Sequence, residues 1–162
     1  MNAHKHRFYL LFISLIITCS CQQGAAISVI EQPVTAQERT NEANGIQLVL
    51  ESDEFETSPS SISTTIINKA DATCSYGEFF RMEQKIDGLW YRVKYPERVF
   101  NEFPTFIDIG YVLQPNHKVV QNFSLNRLDM ILPEGHYRLV KTVLCPSPQG
   151  KEITVSVPFQ VK

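Results

Sequence analysis

The chain has 162 residues, 15 lysines and arginines against 17 aspartates and glutamates, and a formal net charge of −2. Two of the basic residues, Lys5 and Arg7, lie within the first 20, which hold no acid, so the chain beyond them carries 13 − 17 = −4. No run of lysine or arginine along it is of the kind that neutralises phosphates, which argues against nucleic acid as a partner and leaves membrane attachment to some other device.

The stretch His4-Lys5-His6-Arg7 leads into an unbroken apolar run from Phe8 to Thr18, the layout of an export signal. At 11 residues the run is too short for a free membrane span, which takes roughly 20. It ends in Thr18-Cys19-Ser20-Cys21, which is similar to the lipobox of bacterial lipoprotein precursors. There a small residue precedes a cysteine that receives diacylglycerol and becomes the new N-terminus. Ser20 before Cys21 fits, whereas Thr18 stands where Leu or Val is usual, and Cys19 behind Thr18 fits less well. The expectation is a lipoprotein signal over 1–20 and a lipid anchor on Cys21. An ordinary signal peptide with incidental cysteines is the alternative. With Cys19 removed and Cys21 acylated, the exported chain keeps an even pair, Cys74 and Cys145, in an oxidising compartment.

Residues 21–44 are rich in small and polar side chains and read as a flexible tether, which as a coil holds the folded part roughly 25 Å from its anchor. The remaining 118 residues, 45–162, suffice for one domain with one core. Their dominant signal is alternation with period two. Ile46, Leu48 and Leu50 share a face, as do Ile62 and Ile66, and then Val119, Gln121, Phe123 and Leu125. Asp87-Gly88 is a type I′ turn signal, predicting a hairpin of 77–86 with 89–95. Turns follow at Pro115-Asn116 and at Pro133, Glu134 and Gly135, and a strand runs from His136 to about Leu144.

The last segment places Ile153, Val155, Val157, Phe159 and Val161 on one face. Pro158 has no N–H to give a ladder, so an edge, a bulge or a change of partner is expected there. Nothing longer than a turn reads as helical. Seven or eight antiparallel strands result, an all-β chain forming an immunoglobulin-like β-sandwich. A closed barrel satisfies the same pattern.

Leu132, Gly135 and Tyr137 carry the spacing of a tyrosine corner, in which the phenol folds back onto upstream backbone; a plain surface tyrosine is the alternative. Further features join it: Tyr76-Gly77 before a strand, Asp87, Gly88 and Trp90 at a turn, Pro115 at another, and Gly135, Tyr137, Arg138, Val140 and Lys141 on a late strand. Together they resemble a bacterial immunoglobulin-like domain family of exported and lipid-anchored proteins, over roughly 43–162. Asn116 stands where the family tends to have glycine. The resemblance implies a fold and an extracytoplasmic address, and no transferable activity. In the immunoglobulin arrangement it implies, the loop holding Cys74 and the strand end holding Cys145 lie at one end of the sandwich, so a disulfide between them is expected; two buried free thiols are the alternative.

The residues show no motif for chemistry. His117 and His136 lack ligand-spaced partners, so no metal or other cofactor is expected. Asp53, Glu54 and Glu56 sit in a serine-rich stretch that reads as a solvated loop rather than a pocket able to shift a carboxyl pKa. Trp90 and Tyr91 fall on opposite faces of their strand, predicting one aromatic in the core and one exposed; Tyr91, with Arg92, is the candidate exposed contact. The chain is therefore expected to be no enzyme. It reads as a membrane-anchored module that binds a protein or an envelope polymer. A structural or envelope-stress lipoprotein without a specific ligand, and less favoured a cell-envelope hydrolase, are the rivals.

Overall fold

The computed structural model describes residues 25–103, 109–146 and 151–162, so the export signal, Cys19 and Cys21 lie outside the described residues. The chain runs through β1 (Ala25–Ala26), β2 (Val29–Pro33), β3 (Glu42–Ala43), β4 (Ile46–Leu50), β5 (Glu54–Phe55), β6 (Ser61–Asn68), β7 (Cys74–Gly77), β8 (Arg81–Ile86) and β9 (Leu89–Val93). A short helix α1 (Arg98–Glu102) intervenes, and then come β10 (Ile109–Leu113), β11 (Lys118–Ser124), β12 (Met130–Ile131), β13 (Gly135–Cys145) and β14 (Lys151–Val161). The helix is a departure from the expectation of nothing beyond a turn.

Two sheets stack. One has the order β11-β6-β4-β3, antiparallel throughout. The other is built around β13, which pairs along its whole length with β14 and shares its opposite edge between β8 and β7. From there β8 passes on to β9 and β2, and β7 to β10. The alternating side chains explain the stacking. Ile46, Leu48, Ile62 and Ile66 from the first sheet meet Met82, Leu139, Val143, Val155, Val157 and Phe159 from the second in one buried core. The fold is the expected all-β sandwich.

The turn at Asp87-Gly88 has positive φ at both residues, 49° and 84°, as a type I′ hairpin requires. Pro158 marks a change of partner. On the edge of β14 away from β13, Ser156 N–H donates to Thr40 O, and two residues beyond Pro158, Gln160 N–H donates to Asp53 O beside β5.

Two expectations are corrected. The run 77–86 is not one strand: it breaks at Glu78–Phe80, between β7 and β8. The segment expected as a flexible tether is folded onto the domain from Ala25 onward. Its β2 pairs with β9, and residues 34–41 form a strap across the outer face of the β13 sheet. Val34 N–H donates to Trp90 O at 2.9 Å, and Asn41 O receives Leu48 N–H at 2.8 Å. Between them the Gln37 amide imitates a strand, its Oε1 receiving Trp90 N–H at 2.8 Å. The strap lacks a hydrophobic period because it is held by backbone and amide groups, so alternation does not reveal it.

Candidate functional site

Several of the predicted residues prove architectural. Cys74, the first residue of β7, is disulfide-bonded to Cys145, the last of β13. Because Val143 and Leu144 pair with Tyr76 and Ser75, the bridge staples neighbours in one sheet. The Tyr137 hydroxyl donates to Pro133 O at 2.8 Å, four residues upstream, and its ring stacks on Phe159. This is the geometry of a tyrosine corner, and burial raises the phenol to a pKa of about 12. Glu54 and Glu56 hold Lys162, at 2.7 and 3.8 Å. His117 and His136 are both exposed and lie on different elements, the turn before β11 and the start of β13.

The pair Trp90 and Tyr91 departs from expectation. Both are half-buried, because the strap covers the outer face where Trp90 lies and β2 flanks Tyr91, which pairs with Pro33. Tyr91 is therefore not an exposed contact, whereas Arg92 is exposed. Trp90 instead forms a lid over the Arg138 guanidinium, 4.4 Å from its ring centre.

Arg138, 3% exposed, and Glu83, fully buried, are a buried ion pair on that outer face, 2.6 Å apart. Burial of a lone charge is costly, so the pair needs its remaining donors satisfied. Arg138 Nη1 and Nη2 donate to Gln37 O and Ala36 O of the strap at 2.7 and 2.8 Å. A second buried charge lies on the inner face. Lys141, fully buried, donates to Gly77 O and to Phe79 O and faces the rings of Phe80 and Tyr76. These carbonyls belong to the break between β7 and β8, so the lysine supplies the donors that a continuous ladder would have given. Burial pulls its pKa down from 10.5 to about 7, against the opposing charge of Glu78.

The feature suited to binding lies at the open side of the sandwich. Here β10 ends one sheet and β11 ends the other, and each presents an edge without a strand partner among the described residues. Between them runs a cleft of about 310 Å³. Its floor is Tyr76 and Phe123, and its rim is Glu78, Tyr111, Val120 and Arg127. Tyr111 stacks on Tyr76 and donates to Glu78 Oε1 at 3.1 Å, while Arg127 reaches Glu78 Oε2 at 3.4 Å. Gln121 spans the sheets, its Nε2 donating to Gly77 O at 3.1 Å. Its Oε1 is buried with no donor among the described residues. Tyr111 and Val120 are 47% and 60% exposed, an unusual load for two apolar side chains bordering one cleft. Neither residue breaks the period-two pattern, so the sequence does not single out either.

The bacterial Ig-like domain family matches the chain over residues 42–160. The chain belongs to that family. Its Ig-like domain is a module of the binding or adhesion type, of a family typically noncatalytic and often extracellular or surface-exposed. The match starts at the residue where β3 begins, so β1, β2 and the strap precede it. No curated protein matches the chain. Among the described residues, no helix of this Ig-like domain is long and apolar enough to cross a membrane.

Proposed function

We propose that the chain is a lipid-anchored, extracytoplasmic Ig-like module that binds a protein partner noncovalently at the cleft between β10 and β11. One observation carries this reading: exposed Tyr111 and Val120 flank two strand edges that have no partner among the described residues, beside the buried Gln121 Oε1, which has no donor among them. An unpaired edge bordered by apolar side chains is a template for an extended segment of another chain, with backbone bonds giving affinity and pockets giving choice. A Gln oxygen buried without a donor invites an N–H from such a segment. The role is noncatalytic. The anchor rests on the Ser20-Cys21 sequence and places the module at the membrane without a basic patch at its N-terminus.

The reading is tested by placing a photocrosslinking residue at Val120 in intact cells, with Leu89 beside the β8–β9 turn as the comparison position. One dominant adduct at 120 that is absent at 89 is expected. The same adducts at both positions, or none, would refute the cleft as the binding surface.

A further inference from the structure

The outer face of the β13 sheet gathers cations that the sequence keeps far apart. Strand registers place Arg92 opposite Glu83 and Glu83 opposite Arg138; in the adjacent row Arg81 is opposite Val140, and Val140 is opposite Ser156. The strap lies over this second row, since Ser156 N–H donates to Thr40 O and the Ser156 hydroxyl to Arg39 O at 3.5 Å. The charges that act on the Arg39 guanidinium are those of Arg81, Glu83 and Arg138. The absence of a basic run along the chain thus does not carry over to the folded surface.

Two of the three guanidiniums here hold one carboxylate between them. Glu83 Oε1 receives Arg81 Nε at 2.8 Å and Oε2 receives Arg138 at 2.6 Å. Arg138 is completed by the strap carbonyls. Arg39 Nε, by contrast, is buried with no acceptor among the described residues, and the Arg39 side chain makes no ion pair there. Arg81 has its Nε on Glu83 and its two Nη groups without a described acceptor, with the side chain 20% exposed. Against Glu83 alone, three positive charges less one negative leave an excess of two; Glu51 and Asp53 line a cavity together with Arg39 but make no ion pair with it among the described residues. Burial first, and then the like charge of Arg81, lower the pKa of Arg39 below its ordinary value. Glu38, the neighbouring strap acid, is exposed and forms no ion pair among the described residues. A partly buried, uncompensated cation cluster is unfavourable until an anion supplies the missing acceptors.

We propose that Arg39 and Arg81 form a receptor for a phosphate group on the outer face of the sheet, where the strap crosses β8 and β13. The planar guanidinium fork matches tetrahedral oxyanions in bidentate fashion. An excess charge of two is neutralised by a dianion and only half neutralised by a carboxylate. A soluble phosphate monoester and a phosphomonoester lipid headgroup present the same chemistry to this site.

The test follows arginine Nε–H NMR signals of the full chain in uncharged micelles. Inorganic phosphate and sulfate are titrated against chloride and acetate at equal ionic strength. Saturable shifts of the Arg39 and Arg81 signals with phosphate and sulfate, and none with chloride, are expected. Arg39→Gln and Arg81→Gln should each weaken phosphate at least about tenfold, the loss of one charge-assisted contact. Arg92→Gln, on the same face but exposed, should change it less than about twofold. Phosphatidic acid in the micelles reproducing the shifts assigns the headgroup as source, whereas glycerol phosphate alone doing so assigns a soluble ester. Equal responses to chloride and phosphate, or equal weakening by Arg92→Gln and Arg39→Gln, would overturn the proposal.

Discussion

Lys141 Nζ donates to the carbonyl of Phe79 at 3.1 Å, bringing a side-chain donor from β13 to the break between β7 and β8. The bond explains why a lysine sits among Tyr76 and Phe80 in a core. It also makes stability depend on pH. The folded-state pKa, about 7, lies below the unfolded value of 10.5, so between the two the unfolded chain binds the extra proton. The burial penalty is full below about 7 and gone above 10.5, and stability rises with pH across that window, by on the order of a few kcal/mol. Lys141→Met should flatten this rise. Urea unfolding at pH 7 and pH 10 checks it, and parallel slopes for both proteins would contradict the account.

Arg138→Lys keeps the charge beside Glu83 and loses the fork that reaches the Ala36 and Gln37 carbonyls. The strap should loosen while the sandwich persists. Trypsin should then cut after Arg39, and emission from Trp90, the sole tryptophan, should shift to the red. Glu83→Gln should cost more, about 3–5 kcal/mol, because it leaves buried guanidinium charge unpaired.

Tyr137→Phe deletes the bond to Pro133 O and keeps the stack on Phe159. Chemical denaturation should show a loss of about 1 kcal/mol. Tyr137→Leu, which also removes the stack, should lose more.

Cys74 and Cys145 are 71 residues apart in sequence, so their bridge removes much of the unfolded chain's freedom. Replacing both by serine should lower stability by up to roughly 4 kcal/mol. In denaturant without reductant neither cysteine should react with a thiol reagent. Labelling of both would contradict the bridge.

The N-terminus carries its own test. Mass spectrometry of chain recovered from membranes should find Cys21 as the first residue with diacylglycerol attached; a free, unmodified N-terminus would refute the anchor.

The strands that one face of the core demands were legible, because burial of every second side chain writes period two into Ile46–Leu50, Ser61–Asn68 and Lys151–Val161. Tyr137 and the Asp87-Gly88 turn were legible because each needs a residue type that few others can replace. Asn44-Gly45 sends the same turn signal, with φ of 47° and 80° between β3 and β4, yet it read as the edge of a tether. Polar residues upstream masked it. The strap and the arginine cluster were hidden for a related reason. Arg39, Arg81 and Arg138 meet only because a segment without hydrophobic period crosses a sheet face, and pairing by amide and carbonyl groups leaves no mark on composition. The cleft was missed because it is made by two strand edges, a property of topology rather than of any residue pattern.

The claim that the open side between β10 and β11 is the working surface is tested most directly by amide hydrogen exchange on the full chain, purified and again in its native envelope. The account predicts slower exchange in the envelope over 118–124, where β11 has an edge without a strand partner among the described residues, with 61–68 unchanged. Unaltered exchange over 118–124 alongside protection elsewhere on the domain would contradict it.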